Sequence, residues 1–262
     1  MTSLVDRYGP WALVTGASAG LGAEFARQLA AHGLNLVLVA RRKERLYDLG
    51  YALQEAHGVE TVAVGLDLSR EDFWPTLARA TEGLEVNLLV NNAGFSLTGA
   101  LTELPLERQI EMLHLNCRAP LILSHAYGGL MRERGRGGIV FVSSIVGFVP
   151  TPNWTNYAGT KAYNLFLGEG MAAEMRRHGV DVLVVAPGHT RTEFHENAGI
   201  GPLLPMEPAA VVRETLNNLG QTHLLIPGSA NRLLVFLPRF LPRRLNARVS
   251  GLIVKGLQGL VP

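Results

Sequence analysis

Six short apolar runs, separated by helical patterns, constrain the fold of this chain more than any other feature of its sequence. They cover residues 11–15, 34–40, 59–66, 86–90, 138–144 and 180–186. Strands that are apolar along their whole length are typical of parallel sheets whose two faces are both covered by helices. The sequence therefore predicts an α/β fold with a doubly wound parallel sheet of about seven strands. The last strand is expected at residues 224–226.

The alternation continues without an internal repeat, a low-complexity tract or a linker, which predicts a single domain over residues 1–262. A chain of this length can bury one large core by itself. Two parts are expected to vary, a substrate lid over residues 188–210 and a basic, apolar tail over residues 229–262. The formal net charge of +2 gives no reason to expect a nucleic acid as a partner.

Cysteine content and apolar patterning indicate where the protein works. Cys117 is the only cysteine, so an internal disulfide is impossible, and this suits a reducing compartment. The first ten residues carry Asp6 and Arg7 and no long apolar run, which argues against a secretory signal. No uninterrupted apolar segment reaches the length that spans a bilayer. We therefore expect a soluble, cytoplasmic protein.

A glycine-rich turn joins the first strand to the first long helix. Its glycines are Gly16, Gly20 and Gly22, in the spacing Gly-x-x-x-Gly-x-Gly. Glycine permits a positive φ and a close backbone approach to a pyrophosphate, while a helix N-terminus offers unpaired amides. The turn is thus a candidate nucleotide site, although the spacing differs from Gly-x-Gly-x-x-Gly and a turn without a ligand stays open as an alternative.

A basic cluster follows the second strand, where a fold that selects NAD would place an acid for the ribose 2′-hydroxyl. The cluster is Arg41, Arg42 and Lys43. A basic residue at this point can pair with a 2′-phosphate, so the position favours NADP(H) over NAD(H). A solvated helix start, partly neutralised by Glu44, is the alternative interpretation.

Tyr157 and Lys161 are four residues apart and share one face of a predicted helix over residues 154–178. An ammonium beside a phenol favours the phenolate and lowers its pKa, which makes the pair a candidate proton-transfer device. Ser144, at the end of the fifth strand, can hold a substrate oxygen against the pair. A Tyr-x-x-x-Lys spacing alone also fits an ordinary helix with an extended lysine.

Chemistry-bearing residues recur at the carboxyl ends of the predicted strands, which is where ligands bind in open α/β sheets. Asp67 ends the third strand and can accept a hydrogen bond from adenine or cap a helix that begins near Ser69. The residues that share this placement are Gly16, Arg41, Asp67, Asn91, Ser144 and Pro187.

Taken together, these motifs resemble the short-chain dehydrogenase/reductase family in its compact single-domain branch. The motifs are Thr-Gly-Ala-Ser-Ala-Gly-Leu-Gly at 15–22, Asn-Asn-Ala-Gly at 91–94, Asn116, Ser144, Tyr157-x-x-x-Lys161 and Pro187-Gly188. The resemblance covers about the first three quarters of the chain. It implies a Rossmann fold, hydride transfer between a nicotinamide cofactor and a ketone or secondary alcohol, no metal, and a homodimer or homotetramer.

The resemblance also implies roles for individual residues. Tyr157 is expected to be the acid/base, with Ser144 orienting the substrate oxygen, and Ser143 is the competing assignment for that serine. Lys161 is expected to lower the pKa of the tyrosine and to bind the nicotinamide ribose. Asn116 is expected to hold a water that links Lys161 to solvent.

Cofactor contacts follow from the same resemblance. They are expected at Gly16, Ser18, Ala19, Gly20, Leu21, Gly22, Arg41, Arg42, Asp67, Leu68, Asn92, Ala93, Gly94, Tyr157, Lys161, Pro187, Gly188, Thr190 and Thr192. Ala19 departs from the pattern, because many NADP-preferring members have a basic residue inside the glycine turn. Selection of the 2′-phosphate then depends on the cluster after the second strand, and NAD(H) stays open.

The apolar residues after Pro187 suggest a lipophilic substrate. A 3-oxoacyl-thioester reductase and a non-catalytic, NADP-binding scaffold are the alternative functions. His189 and His195 lie in the expected lid, where a solvent-facing position is favoured over substrate contact.

The tail carries six basic residues and follows Glu214, the last acid of the chain. Pro238 and Pro242 are expected to break it into short helices. A basic, apolar segment of this kind can lie on an anionic membrane, form a subunit contact or wall an apolar pocket. The buried or subunit placement is favoured, because the prolines interrupt a long amphipathic face.

Overall fold

The computed structural model describes residues 3–193 and 205–258. Seven parallel strands form one sheet in the order β3-β2-β1-β4-β5-β6-β7. The strands are β1 (Trp11–Thr15), β2 (Asn35–Ala40), β3 (Thr61–Gly65), β4 (Val86–Asn91), β5 (Gly137–Val142), β6 (Val180–Val185) and β7 (Leu224–Leu225). The predicted doubly wound sheet is confirmed.

Helices cover both faces of this sheet. They are α1 (Leu4–Tyr8), α2 (Gly20–Ala31), α3 (Lys43–His57), α4 (Phe73–Ala80), α5 (Leu106–Leu113), α6 (Ala119–Arg134), α7 (Thr155–Met175), α8 (Pro208–Asn218), α9 (Ser229–Phe236) and α10 (Arg243–Gln258). Short turns of 3₁₀ helix lie at Ile145–Phe148, Arg176–His178 and Leu237–Phe240. None of the helices in the described residues is long and apolar enough to span a bilayer.

Alternation along each strand divides the core into two layers. Val14 of β1 packs in the layer beneath α2, α3 and α8, where Leu29 is a member. Leu13, one residue earlier, packs on the opposite face with Leu77 of α4 and Phe141. Because both faces of every central strand are buried, the strands need apolar residues at consecutive positions, which explains the continuous runs in the sequence.

The strand order reverses beside β1, which pairs with β2 on one side and β4 on the other. Thr15 of β1 lies opposite Val39, and Val14 lies opposite Val90. The carboxyl ends of these strands therefore open onto one edge of the sheet. A crevice outside this reversal is the usual ligand position in doubly wound folds.

The structure differs from the sequence prediction in two helices. The pattern over residues 106–134 is not one α-helix, because a π-helical turn at His114–Arg118 separates α5 from α6. The tail is predicted to form only short helices, but it contains one longer helix. α10 has 16 residues, because Pro242 immediately precedes it and does not interrupt it.

The predicted lid over 188–210 lies partly outside the described residues, and His195 lies outside them too. Thr190, which precedes residues 194–204, and Met206, which follows them, form an isolated parallel bridge.

Candidate active site

A cavity of about 630 Å³ lies at the carboxyl edge of the sheet. Most of the predicted site residues line it. They are Gly16, Ser18, Ala19, Gly20, Leu21, Arg41, Arg42, Asp67, Leu68, Asn92, Ala93, Gly94, Ser144, Tyr157, Lys161, Pro187, Gly188, Thr190 and Thr192. The fold thus brings these distant segments to one place.

Gly22 does not line the cavity, unlike the other glycines of the turn. A Cβ on Gly22 would lie 2.2 Å from the carbonyl oxygen of Gly16 and 2.6 Å from Nδ2 of Asn92. This glycine therefore lets the first turn of α2 pack directly on the glycine-rich loop. This packing shapes the loop, and the cofactor contact predicted at Gly22 stays a prediction.

The glycine-rich turn presents backbone to the cavity. Gly16 and Gly20 adopt left-handed φ values of +68° and +55°, which residues with a Cβ adopt only with strain. Ala19 precedes α2 and provides no side-chain cap. The helix N-terminus can therefore direct its first amides at an anion such as a pyrophosphate.

Ser18, Arg42 and Arg45 form a cluster that we call the arginine corner, and its Ser18 and Arg42 line the cavity. Arg42 donates from Nε and Nη2 to the Ser18 hydroxyl at 3.2 and 3.1 Å. Arg42 and Arg45 each also donate to Glu193, at 3.0 and 2.8 Å, and these hydrogen bonds lower the pKa of the Glu193 carboxyl. A carboxylate thus occupies the position between the two guanidinium groups.

Arg45 and Glu193 are not among the sequence predictions. Arg45 follows Arg42 by three residues in the first turn of α3, and this helical spacing is the one signal that points to it. Arg41, which is predicted to act with Arg42, instead pairs with Glu111 of α5 at 3.5 Å. The two predicted arginines therefore face different partners.

Asp67 and the Asn91–Asn92 pair combine structural and site positions. Asp67 Oδ1 accepts hydrogen bonds from the Ser69 amide and hydroxyl, while α4 begins only at Phe73. Asn91 Nδ2 donates to Ser124 in the core. Asn92 Nδ2 donates to the Thr15 carbonyl at 2.8 Å and so ties β4 to the start of the glycine-rich turn.

Ser144, Tyr157 and Lys161 converge on one wall of the cavity. The phenol of Tyr157 is hydrogen-bonded to the Ser144 side chain. Lys161 Nζ lies 5.8 Å from the centroid of the Tyr157 ring and donates to the Val142 carbonyl at 2.8 Å. All three residues thus line the same cavity.

Ser143, the competing serine, is committed elsewhere. Its hydroxyl donates to the backbone carbonyl of Lys161 at 2.7 Å, and the side chain is buried. This bond ties the second turn of α7 to the end of β5. Ser144, in contrast, begins the 3₁₀ turn at Ile145–Phe148 and has its hydroxyl beside Tyr157.

The expected direction of the tyrosine pKa is wrong for the structure as it stands. Burial raises the pKa of Tyr157 above its ordinary value, and the Ser144 hydrogen bond offsets this only in part. Burial also lowers the pKa of Lys161 to about 8. The ammonium donates to the Val142 carbonyl. Desolvation is the largest contribution to the pKa of Tyr157, so it decides the sign of the shift.

Asn116 lies behind the cavity wall and does not line it. Its Oδ1 accepts from the Phe95 amide, and its Nδ2 donates to the Phe95 carbonyl and to Thr160. Asn164 of α7 donates to the Asn116 backbone carbonyl at 2.9 Å. The π-helical turn turns Asn116 toward these partners, so it does not bond back to its own helix. Gly94 packs closely against Asn116 and near Lys161: a Cβ on Gly94 would lie 3.0 Å from Asn116 Oδ1 and 3.7 Å from Lys161 Nζ.

Apolar side chains pack around Tyr157. Trp154 packs edge-on against Tyr157 with ring centroids 5.8 Å apart. Val254 and Leu257 of α10 complete the same buried cluster. Two residues of the tail are thus buried against Tyr157. No residue of 229–258 lines the cavity itself, so the option that the tail walls a substrate pocket stays a prediction.

One polar group adjoins this apolar cluster. Ser96 lines the cavity, and its buried hydroxyl has no hydrogen-bond partner among the described residues. A buried hydroxyl without a partner is costly unless a ligand or water satisfies it.

Chemically, the arrangement pairs a protonated, desolvated phenol with a hydroxyl that can hold an oxygen atom. The neighbouring turn can bind a pyrophosphate, and the arginine corner can bind a further phosphate. The residues therefore fit a phosphorylated dinucleotide beside a proton donor.

The family model for short chain dehydrogenases matches residues 10–201. A very-long-chain 3-oxoacyl-CoA reductase of Pyrenophora tritici-repentis is 34% identical to this chain. The matched region covers 82% of this chain but only 64% of that reductase. A 7beta-hydroxysteroid dehydrogenase of Collinsella aerofaciens is 32% identical over 88% of this chain and 90% of its own length.

Solved structures agree with these matches. A structure from work on 7beta-hydroxysteroid dehydrogenase stereoselectivity superposes with a TM-score of 0.89 and 31% identity, over 95% of this chain and 99% of that one. A short-chain dehydrogenase from Sphingobium yanoikuyae in complex with NADPH gives a TM-score of 0.80 and 32% identity, over 97% and 96%.

Proposed function

This chain belongs to the short-chain dehydrogenase family, whose members are oxidoreductases that act on alcohol and ketone groups, and we propose that it reduces a lipophilic ketone with NADPH. The observation that carries the proposal is the convergence of Ser144, Tyr157 and Lys161 beside the glycine-rich turn. A panel of ketones and secondary alcohols, followed at the nicotinamide absorbance with both cofactors, tests it. Absence of turnover across the panel would contradict it.

A bound nicotinamide cofactor would supply the hydride. The chain's own residues then have three tasks. Ser144 donates a hydrogen bond to the carbonyl oxygen, Tyr157 gives its phenol proton to that oxygen, and Lys161 supports the ribose and returns a proton to the phenol. The cofactor would be held by the turn at Gly16–Leu21, by the Asn92–Gly94 loop and by Pro187–Thr192.

The raised pKa of Tyr157 supports reduction as the direction favoured at neutral pH. A phenol that stays protonated is ready to act as an acid, whereas oxidation of an alcohol first requires the phenolate. Lys161, with a pKa of about 8, is mostly charged below that pH and mostly neutral above it.

We therefore expect kcat/KM for ketone reduction to be level at neutral pH and to fall as the pH rises past about 8, where Lys161 loses its proton. Oxidation should instead rise with pH, because it needs the phenolate. Initial rates in both directions over a pH series check this. In Lys161→Arg the guanidinium stays charged, so any remaining kcat/KM should no longer decrease above about pH 8. An unchanged decrease would show that another group causes it.

The arginine corner supports a preference for NADP(H). Guanidinium groups pair with phosphate in bidentate geometry, and Arg42 and Arg45 already hold a carboxylate between them. The adenine would lie against Asp67 and Leu68, which line the same cavity.

The apolar cluster around Tyr157 supports a lipophilic substrate. Phe95, Leu97 and Val146 pack against its buried members, and the Ser96 hydroxyl offers one polar contact. A flat apolar ring system or an acyl chain that carries one remote polar group fits this distribution of side chains.

A 3-oxoacyl-thioester is the second candidate substrate, supported by the likeness to 3-oxoacyl-CoA reductases. Arg108 at the cavity, stacked 5.0 Å from the Phe95 ring, can attract a phosphorylated carrier. Comparing a ketoacyl thioester with the matching free ketone separates the two: a large gain in kcat/KM for the thioester favours this candidate.

We also propose a homo-oligomer that associates through α7. Gly159, Tyr163, Phe166 and Gly170 follow one another along its outer face, and a Cβ on either glycine would contact nothing. Phe166 is 75% exposed and Tyr163 is 36% exposed, and neighbouring exposed aromatic side chains of this kind suit an association surface.

Replacing Phe166 with glutamate should lower the molecular mass measured by light scattering to that of the monomer, because a charge would be buried at the contact. Tyr51→Ser, a change at another exposed aromatic on α3, is the control and should leave the mass unchanged. A wild-type monomer, or an unchanged mass in Phe166→Glu, would refute this contact.

The cytoplasm is the proposed location. Cys117 is a free thiol, and burial raises its pKa to about 11, so it stays protonated and inert in a reducing compartment.

A further inference from the structure

We propose that residues 229–258, from α9 to the end of α10, dock this protein onto an anionic lipid surface. Most of the large apolar residues of this segment point away from the protein. Phe240 is 72% exposed and Leu252 is 70% exposed, and Phe236, Leu237, Leu245 and Ile253 are also exposed. The sequence favours a placement that is buried or at a subunit contact, and burial within the chain holds for only a few of the apolar residues here, such as Val254 and Leu257. We call this exposed surface the C-terminal face.

Two opposite sides of α10 are apolar, and the fold uses only one. On the inner side, Val254 and Leu257 are buried against the cluster at Tyr157. A Cβ on Gly251 would come within 3.0 Å of Pro152, so this side packs closely. On the outer side, Leu245, Val249 and Leu252 follow one another at helical spacing and are exposed. The outer stripe is not needed for packing within the chain.

Positive charge borders this stripe. Arg243, Arg244, Arg248 and Lys255 are exposed, and none of them forms an ion pair among residues 3–193 and 205–258, whereas Arg232 of α9 lies 4.0 Å from Glu214. The chain carries no acid after Glu214, so residues 229–262 contribute only positive charge. An exposed apolar stripe flanked by unpaired cations complements a bilayer surface with anionic headgroups.

The charge also argues against a second copy of this chain as the occupant. A two-fold contact places the same patch against itself. Here it would set arginines against arginines in a segment that has no acid to pair with them. Such like-charge contacts are unfavourable. The outer face of α7 offers a separate surface for self-association.

Docking would place the candidate active site close to lipid. The inner side of α10 contacts the Tyr157 cluster while its outer side would rest on the headgroups, and one helix with its side chains is only about 10 Å thick. This consequence rests on the proposed function, since a lipophilic ketone could then enter from the bilayer. The docking itself does not depend on turnover.

Co-sedimentation of the full chain with vesicles tests the proposal. We expect binding to vesicles of phosphatidylcholine with phosphatidylserine, little binding to phosphatidylcholine alone, and release as salt is raised. Phe240→Ser with Leu252→Ser, and separately Arg244→Gln with Arg248→Gln, should each lower the binding constant about tenfold or more.

Matched changes outside the C-terminal face serve as controls. Tyr51→Ser removes an exposed aromatic from α3, and Arg176→Gln with Arg177→Gln removes two exposed cations near the opposite edge of the sheet. These controls should bind like the wild type. All surface variants replace exposed side chains, and circular dichroism with ketone turnover in buffer confirms folding.

Three results would overturn the proposal. The first is no binding of the wild type to anionic vesicles. The second is an equal loss of binding in the controls. The third combines two observations: the wild type binds no vesicles, and Phe240→Ser with Leu252→Ser has a lower molecular mass than the wild type. That combination would assign the C-terminal face to a contact with a second copy of the chain. Failure of the ketone panel with intact vesicle binding would instead refute the proposed function alone.

Discussion

Replacing Tyr157 with phenylalanine is expected to lower kcat for ketone reduction by about 10²- to 10⁴-fold, the contribution typical of a positioned acid, while NADPH binding stays close to that of the wild type. The substitution removes only the phenol oxygen, which is hydrogen-bonded to Ser144. The ring can keep its edge-on contact with Trp154 at 5.8 Å. Steady-state kinetics with a fluorescence titration of NADPH give both quantities.

Tyr51→Phe is the matched control, because it makes the same chemical change at a residue of α3 that is 67% exposed and does not line the cavity. Its kcat should be unchanged. An unchanged kcat in Tyr157→Phe would contradict the assignment of the acid. If the wild type binds NADPH but reduces no carbonyl in the panel, the non-catalytic scaffold alternative gains support.

Removing both guanidinium groups of the arginine corner should have the second largest effect, and this effect is on NADPH affinity. In Arg42→Ala with Arg45→Ala, we expect the dissociation constant for NADPH to rise about 10- to 100-fold, since charged hydrogen bonds to phosphate are lost from half-exposed positions. The constant for NADH should change little, because NADH has no 2′-phosphate. Titrating both cofactors into the double variant measures the difference.

Two single variants refine this expectation. Arg41→Ala should leave the ratio of the NADPH and NADH dissociation constants unchanged, because Arg41 pairs with Glu111. Glu193→Gln should tighten NADPH binding without affecting NADH, because the carboxylate that occupies Arg42 and Arg45 would no longer compete with a phosphate. Glu207→Gln, which breaks the exposed pair with Arg191, is the control. Weaker NADPH binding in Glu193→Gln would show that Glu193 holds the arginines in place.

Local patterns were enough to predict the sheet. The sequence prediction for β1 matches Trp11–Thr15 residue for residue, and the other strands differ only at their ends, where boundaries depend on individual hydrogen bonds. The π-helical turn at His114–Arg118 was not predictable, because an α-helical periodicity hides a local widening by one residue. Pro242 can end one helix or precede another, and only the structure shows that α10 follows it directly.

The site was predictable where a short motif carries the chemistry. Ser144, Tyr157 and Lys161 were identified by spacing and resemblance, and they meet at one cavity. Residues that act through distant packing were missed, because no local spacing links Glu193 to α3 or Val254 to Tyr157. The pKa of Tyr157 was predicted in the wrong direction because spacing shows proximity to a lysine but does not show burial.

Transfer of deuterium tests the central claim most directly. The full chain is incubated with NADPH deuterated at the hydride-donating carbon and with a lipophilic ketone, and the alcohol is examined by mass spectrometry. We predict one deuterium on the carbinol carbon with the wild type and about 10²-fold or more slower label transfer with Tyr157→Phe. Bound NADPH with no label transferred to any ketone, or equal transfer by the two proteins, would contradict the account.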